Sequence, residues 1–254
     1  MSKAIELMKR REEEILKLIK KISRRTNLFS DPKLILIGGY ALRAFIPFTR
    51  YTRDCDFALR KTRGWKIDKL KEIMPKDYSV EAFEKRGTYS FLRCIKFVKY
   101  DRLRIKVSID FMEGEIRGRE EKEIILIDEK MIKNRKFVKI PIADDLVKLP
   151  VPSYVDYFIM KVVSARPSDI RDIASLILDN GIPKEVRRRI KEILPYPEIF
   201  QIKLSRRIIP EIKGKTFLNS WRGAFATTRY TEGDRQKIIK ELQELSHSIQ
   251  ANMS

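Results

Sequence analysis

The sequence predicts an α+β protein, in which a small mixed β-sheet flanked by helices is followed by a C-terminal helical domain. Apolar residues recur with helical spacing over residues 3–25. The segments 89–100 and 102–112 are rich in Phe, Val and Ile and alternate, which predicts two strands joined by a turn at Asp101. Helical spacing returns after Pro150. We therefore expect two domains, residues 1–150 and residues 151–254.

Shorter elements are predicted between the first helix and the paired strands. An apolar strand over residues 34–37 ends at Gly38 and Gly39, and good helix formers follow until Pro47. Alternation predicts a strand over residues 50–59. A helix around 65–74 and a short strand within 120–128 complete the first domain.

The second domain is predicted to consist of helices. Its first helix begins at Ser153, which stands in capping-box spacing with Asp156, and stops at Arg166 and Pro167. We expect Ser168 to cap the next helix, which ends at Asn180 and Gly181. The remaining helical pattern is broken by Pro195, Pro197 and Pro210.

The charge balance favours a polyanionic partner. The 254 residues include 55 Lys and Arg against 35 Asp and Glu, a net charge of +20. Neutralising phosphates with such a surface releases condensed counterions, so nucleic acid is the leading candidate. Dense Lys, Arg and Glu usage is also typical of heat-adapted proteins, but that bias does not explain the imbalance.

Composition also excludes several chemistries. The chain has only two cysteines, Cys55 and Cys94, and one histidine, His247, so it lacks the ligands of a tetrahedral zinc site and the thiols of a disulfide scaffold. Both cysteines are expected to be buried. No acidic or nucleophilic motif accompanies His247. Neither a membrane-spanning apolar run nor a signal-peptide core is present, so we expect a cytoplasmic protein without membrane contact.

Two carboxylates in the predicted strand 50–59 point to a metal site. Asp54 and Asp56 are two residues apart, so they project from the same face of a strand and repel each other unless a cation lies between them. Hard oxygen ligands of this kind suit Mg²⁺. Asp110, on the apolar strand RIKVSID, is the natural third ligand, and three carboxylates can hold two metal ions.

Gly38 and Gly39 suggest an anion site beside those carboxylates. A strand that ends in Gly-Gly and turns into a helix exposes backbone N–H groups and the positive end of the helix dipole. Triphosphate is the anion that fits a site with two Mg²⁺ ions. Each motif alone is weak, but their order and spacing favour one nucleotide site.

These motifs resemble a known family. GG-x-AL, followed by R-x-T-x-D-x-D across Arg50, Thr52, Asp54 and Asp56, resembles the signature of the nucleotidyltransferase superfamily with a polymerase-β-like core. Asp110 fits its third acidic residue. Further along, Lys161, Arg166, Asp169 and Asp172 are similar to the third and fourth motifs of AbiEii-like and MenT-like toxins of type IV toxin–antitoxin and abortive-infection systems. The resemblance spans residues 35–180.

The resemblance implies transfer of a nucleotide from a nucleoside triphosphate to an acceptor hydroxyl with Mg²⁺. The acceptor in some members is the 3′ end of transfer RNA, and a cognate antitoxin is a possible partner. Asp54 and Asp56 would bind metal together with Asp110, which would also hold or activate the acceptor hydroxyl. Lys161 would contact the triphosphate, and Asp169 would orient that lysine or act within the site. Arg50 and Thr52 would shape the turn or touch phosphate, beside the phosphate site at Gly38 and Gly39. Pro167 and Ser168 depart from the lysine-containing link that is common in the family.

Several alternatives remain open from the sequence. Lys161 lies on an apolar helix face. If it is buried, it must be paired or functional. The alternative is that its ammonium reaches solvent. The acceptor could be a protein or a small molecule instead of RNA. A module that binds nucleic acid without catalysis is a third hypothesis. For RNA, the candidates for base stacking are Tyr196, Phe217, Trp221, Phe225 and Tyr230.

Overall fold

The computed structural model describes residues 3–47, 50–62 and 67–251, which divide into two compact units. The first unit takes the chain up to Ala44, residues 51–116 and residues 127–153. The second takes residues 45–50, residues 117–126 and the chain from Tyr154 onward.

Helix α1 (Lys3–Arg25) has the predicted limits and packs through one stripe of apolar side chains. Ile15, Ile19 and Ile22 are completely buried, whereas Ile5 near the start of the helix is exposed. The helix therefore contributes to the core of the first unit mainly through its second half.

A mixed five-stranded sheet forms the centre of the first unit in the part of the chain that the structure describes. Its order is β1-β2-β5-β4-β3, with β2 and β5 parallel and the other neighbours antiparallel. The strands are β1 (Ile35–Ile37), β2 (Asp54–Leu59), β3 (Ser79–Arg86), β4 (Tyr89–Tyr100) and β5 (Leu103–Glu113). The predicted α+β class with a small mixed sheet is confirmed.

One face of this sheet is apolar and closes the core. Phe57 of β2 stacks between Phe29 and Phe111, with ring centroids 5.7 Å and 6.0 Å away. Cys55 points to the same buried face, and both cysteines are free and buried, as predicted. Because side chains alternate along a strand, Asp54 and Asp56 are left on the opposite face of β2.

The structure corrects several predicted limits. The strand expected over residues 50–59 begins only at Asp54. The helix expected to continue to Pro47 is the short α2 (Gly38–Ala41) and one 3₁₀ turn to Ala44. The helix expected around 65–74 is α3 (Asp68–Ile73), with Trp65 outside the described residues. The strand expected within 120–128 is reduced to β7 (Ile124–Leu126).

Other elements were not predicted. They are the edge strand β3, the short β6 (Glu115–Arg117), α4 (Glu129–Lys133) and the hairpin β8 (Lys136–Ile142) with β9 (Asp145–Val151). Strand β3 has seven exposed residues out of eight, so it lacks the alternation that marks a strand with one buried face.

The second unit is helical from Tyr154 onward, as predicted. Its helices are α5 (Tyr154–Ser164), α6 (Pro167–Asn180), α7 (Val186–Ile193), α8 (Glu198–Lys203), α9 (Ile209–Lys213), α10 (Phe217–Phe225) and α11 (Glu232–Gln250). The prediction that Ser168 caps α6 is wrong, because Pro167 already occupies the first turn and Arg166 is the N-cap. Pro210 does not end the helical segment. It lies in the first turn of α9, which directly follows a π-helical turn (Leu204–Ile208).

Glu113, at the end of β5, is expected to make the stability of the fold depend on pH. Its side chain is buried, its Oε1 has no hydrogen-bond partner among the described residues, and burial raises the pKa of Glu113. Above its raised pKa, the buried Glu113 carboxylate therefore lowers the free energy of unfolding. This loss disappears at a pH at which Glu113 is protonated in both the folded and the unfolded chain. We expect Glu113→Gln to raise the free energy of unfolding at pH 7.

Chemical denaturation of the wild type and Glu113→Gln between pH 7 and pH 4 measures this effect. The gain in the free energy of unfolding of Glu113→Gln over the wild type should shrink as the pH falls toward about 4.3, the ordinary pKa of a glutamate. Glu84→Gln, an exposed change in β3, is the control and should show no such trend. A Glu113→Gln variant that is less stable than the wild type at pH 7 would contradict the argument.

Candidate active site

Three predicted carboxylates lie on one face of the sheet in the first unit. Strands β2 and β5 are parallel, with Asp54 opposite Ser108 and Asp56 opposite Asp110. Side chains of paired residues in neighbouring strands point to the same face. Asp54 is exposed, Asp56 is half-buried and Asp110 is buried. The register thus brings Asp54, Asp56 and Asp110 together on the face opposite Phe57.

Neighbouring side chains restrict these carboxylates. The hydroxyl of Ser108 donates a hydrogen bond to Oδ1 of Asp54. Arg93, opposite Asp110 in β4, donates from Nε to Oδ1 at 2.8 Å and from Nη2 to Oδ2 at 2.5 Å. Both oxygens of Asp110 are therefore engaged by a single guanidinium.

The pKa of Asp110 reflects two opposing effects. Burial raises the pKa of this carboxyl, the Arg93 guanidinium lowers it, and the net shift is upward. The pKa of the Cys55 thiol, which points to the apolar face, is also raised, first by burial and then by the neighbouring carboxylates. Cys55 is therefore a protonated core side chain and not a nucleophile.

The two glycines make room for side chains of the site. Gly38 has a φ of +68°, and a Cβ there would overlap the Asp56 carboxylate, reaching within 2.9 Å of its Cγ. At Gly39 a Cβ would lie 2.8 Å from Cβ of Thr52. The backbone of the Gly-Gly turn thus approaches Asp56 and Thr52 more closely than any other residue type would allow.

The predicted helix-dipole site at Gly38 and Gly39 is not supported, because α2 has only four residues. A helix of this length has little of the dipole that attracts an anion.

The donor set of this face suits a hard divalent cation in part. Asp54 and Asp56 are two carboxylates on one strand face, and Mg²⁺ typically takes one or two carboxylates together with phosphate and water oxygens. Each oxygen of Asp110 already accepts a hydrogen bond from Arg93, which leaves this carboxylate less available as a third ligand than Asp54 and Asp56. Accordingly, within residues 3–47, 50–62 and 67–251 no group of three His, Cys, Asp or Glu side chains is arranged for metal binding.

A second set of predicted residues meets in the second unit. Lys161 of α5 donates to Oδ1 of Asp169 at 2.7 Å and to Oδ2 of Asp172 at 2.9 Å. Arg50 donates from Nε and Nη2 to the two oxygens of Asp172, both at 2.7 Å. Ser164 donates to the remaining oxygen of Asp169 at 2.8 Å.

This charge cluster is buried. Of the Lys161 side chain 6% is exposed, and Asp172 is completely inaccessible. Burial alone would lower the pKa of Lys161, but Asp169 and Asp172 outweigh it and hold the pKa well above its ordinary value. Burial would raise the pKa of Asp169, but Lys161 keeps that pKa below its usual range. Both groups are therefore charged, and the interpretation that Lys161 reaches solvent is wrong.

Sequence reasoning did not identify Arg93 and Ser108, and it did not include Asp172 in the site. The alternation of β4 and β5 places Arg93 and Ser108 on a defined face, but their partners depend on the register between strands. Asp172 follows Asp169 by three residues on α6, which puts both carboxylates on one side of a helix.

The proposed base-stacking residues are mostly core residues. Phe217, Trp221, Phe225 and Tyr230 are buried, and Trp221 and Tyr230 stack with ring centroids 3.8 Å apart. Tyr196 is exposed, with 39% of its surface accessible, and the ammonium of Lys122 lies 5.5 Å from its ring centroid. Only Tyr196 among the five therefore remains available to a base.

Comparison with known proteins identifies the class. The family model of the nucleotidyl transferase AbiEii toxin of type IV toxin–antitoxin systems matches residues 22–241. Two crystal structures align with this chain over most of both lengths. A presumed nucleotidyltransferase from H. pylori has 12% identity, a TM-score of 0.43 and coverage of 94% of this chain and 95% of its own. JHP933 from Helicobacter pylori has 13% identity, a TM-score of 0.44 and coverage of 95% and 99%. No curated protein is similar enough to count as a match.

The matched region defines the protein as a nucleotidyltransferase, that is, a transferase enzyme. The chain belongs to the AbiEii family of toxins of type IV toxin–antitoxin systems. Membership implies a nucleotide substrate and an antitoxin partner. Within the described residues no helix combines the length and the apolar character needed to cross a bilayer.

Proposed function

We propose that this nucleotidyltransferase toxin uses Mg²⁺ to move a nucleotide from a nucleoside triphosphate to a hydroxyl of RNA. The proposed acceptor is the 3′ end of transfer RNA, and the proposed place of action is the cytoplasm. The observation that carries the proposal is the carboxylate face of the first unit, where Asp54, Asp56 and Asp110 share two parallel strands. Its glycine turn lies against Asp56, which suits a site that must admit a phosphate chain beside a metal ion.

The proposed reaction is a single displacement at the α-phosphorus. The acceptor oxygen forms a bond to this phosphorus, the bond from it to the bridging oxygen of the β-phosphate breaks, and pyrophosphate leaves with that oxygen. The hydroxyl proton goes to a base, for which Asp110 is our candidate. The product is an acceptor longer by one nucleotide.

The first unit supplies the residues that would hold the metal ions. Asp54 and Asp56 would coordinate through carboxylate oxygens, with Ser108 fixing the orientation of Asp54 by its hydrogen bond. Mg²⁺, when bound, neutralises phosphate charge and makes the acceptor hydroxyl easier to deprotonate. A second ion that uses Asp110 would coordinate oxygens that already accept hydrogen bonds from Arg93.

Asp110 has features that a base at this position needs. Burial raises its pKa, which makes the carboxylate a better proton acceptor than an ordinary aspartate. Arg93 is 36% exposed at its side chain, so it can turn toward solvent or toward a phosphate when the acceptor approaches Asp110. The ion pair would keep Asp110 ionised and correctly oriented until then.

Charge and one exposed aromatic ring support RNA as the acceptor. The net charge of +20 favours a polyanion, and helix α7 exposes Arg187, Arg188 and Lys191. Tyr196 lies between Pro195 and Pro197, which limit its backbone freedom. A small-molecule acceptor would need no such charge.

The acceptor class can be tested by labelling. Purified protein with Mg²⁺ and each of the four labelled nucleoside triphosphates is mixed with total RNA and total protein, beside Asp54→Asn. We expect label in RNA of transfer-RNA size, with one preferred nucleotide and dependence on Asp54. Label in protein would mean that the acceptor is a protein and not RNA. RNA binding without transfer in both variants would favour a module that binds nucleic acid without catalysis.

Tyr196→Ala is expected to weaken RNA binding about tenfold, because stacking one base contributes about 1–3 kcal/mol. Filter binding of labelled transfer RNA at fixed salt measures the affinity. Tyr196→Trp should retain it, and Phe137→Ala, which removes a ring of similar exposure in β8, is the control. If Tyr196→Ala and the wild type bound RNA with equal affinity, Tyr196 would not be part of the RNA contact.

A further inference from the structure

The hairpin of β4 and β5 extends beyond the other strands of the sheet in the first unit. Strand β2 pairs with β5 only over Ser108–Glu113, and β3 pairs with β4 only as far as Ile95. Among the described residues, 96–107 therefore form an arm of two strands. The arm continues the strand that carries Asp110, so its position relative to the carboxylates is fixed by the sheet.

Helix α1 covers one face of this arm. Val98 and Ile105 point to that face and have only 8% and 4% of their surface exposed. The hydroxyl of Tyr100 donates a hydrogen bond to Glu6 of α1 at 2.7 Å. Because side chains alternate along a strand, the residues between these positions are left on the opposite face of the arm.

The opposite face of the arm is exposed and continues the carboxylate face of the sheet. In the hairpin register Phe97 stands opposite Lys106 and Lys99 stands opposite Arg104. Lys106 and Arg104 also lie an even number of residues before Asp110 on β5, so all of them share its face. The four arm residues are exposed, and we call them the open strip. From Asp110 to Arg104 this face is about 20 Å long, at about 3.4 Å for each residue.

The open strip combines an aromatic ring with positive charge. Phe97 is 48% exposed, and the guanidinium carbon of Arg104 lies 4.6 Å from its ring centroid. The ion pairs of the described residues include neither Arg104 nor Lys99. The ammonium of Lys106 differs, because it binds the two oxygens of Glu81 at 2.6 Å and 2.7 Å. The unbalanced positive charge is therefore at the tip of the arm, and the carboxylates are at its other end.

We propose that the open strip binds the single-stranded 3′ part of the RNA acceptor, with a base stacked on Phe97, a phosphate at Arg104 and the terminal hydroxyl at the Asp110 end. Base stacking on aromatic rings and cation contacts with the backbone are how proteins bind single strands. The terminal ribose ends in hydroxyls, which suit the carboxylate end better than a phosphate does. A protein segment could also cover an exposed ring, but the unbalanced charge beside Phe97 favours a polyanion. The inference rests on the proposed RNA acceptor and adds where the first unit binds it.

Fluorescence anisotropy of a short single-stranded RNA, labelled at its 5′ end, measures binding to the full chain without any transfer. We expect Phe97→Ala to weaken binding about tenfold, because the stacking of one base is lost. Phe97→Trp should keep the affinity, since it retains an aromatic face. Phe137→Ala is the matched control and should bind like the wild type. Phe137 is 41% exposed in the same unit, and the ammonium of Lys148 lies 5.9 Å from its ring centroid.

The salt dependence of RNA binding tests the phosphate contact of Arg104. The logarithm of the affinity falls linearly with the logarithm of the salt concentration, with a slope of about −0.7 for each phosphate neutralised on a single strand. Arg104→Gln should therefore make the slope less steep by about 0.7. Lys148→Gln removes an exposed lysine beside the ring of Phe137 and should leave the slope unchanged. A merely structural role of Arg104 would not change the slope in this way.

Transfer of labelled nucleotide to transfer RNA separates the inference from the function on which it rests. Phe97→Ala and Arg104→Gln should raise the KM for RNA about tenfold and leave the KM for the nucleoside triphosphate unchanged. If both variants bind the short RNA with the affinity and salt slope of the wild type, the inference is overturned in favour of a protein partner. If the wild type does not bind this RNA at all, the inference is overturned as well. If the wild type binds RNA through Phe97 and Arg104 but transfers no nucleotide, the proposed function fails while the inference stands.

Discussion

Asp56→Asn is expected to lower the rate of nucleotide transfer about 10³-fold. Asp56 lies opposite Asp110 in the parallel pair of strands, and its carboxylate packs against Gly38. Asparagine has nearly the same shape, so the packing stays, but the negative charge that would hold Mg²⁺ in the proposed reaction is lost. Several kcal/mol of transition-state stabilisation depend on such a metal, at about 1.4 kcal/mol for each factor of ten in rate.

Single-turnover transfer of labelled nucleotide measures the rate of Asp56→Asn. Asp77→Asn removes an acidic side chain of the same unit that forms an ion pair with Lys96, and it should transfer at the wild-type rate. Thermal unfolding of both variants shows whether the fold is retained. A rate of Asp56→Asn within tenfold of the wild type, with an intact fold, would place the metal site elsewhere.

Gly38→Ala is expected to lower transfer about 100-fold and the free energy of unfolding by about 1–2 kcal/mol. The added Cβ would overlap the Asp56 carboxylate, and the φ of +68° is unfavourable for alanine. Because Asp56 must then move, the carboxylate face loses its geometry. A displacement of about 1 Å at a catalytic group is enough for a rate loss of this size.

Gly87→Ala separates the two causes. Gly87 has a φ of +58° and no atom within 4 Å of an added Cβ, so this variant has the backbone strain without the overlap. It should lose stability but transfer at nearly the wild-type rate. If Gly87→Ala and Gly38→Ala lost activity equally, strain in the fold and not the displacement of Asp56 would explain the result.

The sequence predicted those elements that show a clear period. The paired strands β4 and β5 were expected because their apolar residues alternate and Asp101 marks the turn, which has a φ of +55°. The edge strand β3 was missed because it is exposed on both faces. The hairpin of β8 and β9 was missed because lysines and prolines interrupt its apolar residues.

The candidate site was predictable as far as local spacing determines it. Alternation alone placed Asp54 and Asp56 on one face of β2. The pairing of Arg93 with Asp110 depends on how β4 and β5 align, and the bond between Arg50 and Asp172 joins residues 122 positions apart. Such contacts depend on tertiary packing, so no local pattern in the sequence contains them.

The central claim is the transfer of a nucleotide, and the fate of labelled phosphates tests it most directly. The wild type is incubated with Mg²⁺, transfer RNA and a nucleoside triphosphate labelled at either the α- or the γ-phosphorus. We expect the α-label in RNA and the γ-label only in released pyrophosphate, with both signals lost in Asp56→Asn. Appearance of the γ-label in RNA would mean phosphate transfer and not nucleotide transfer, and would contradict the account.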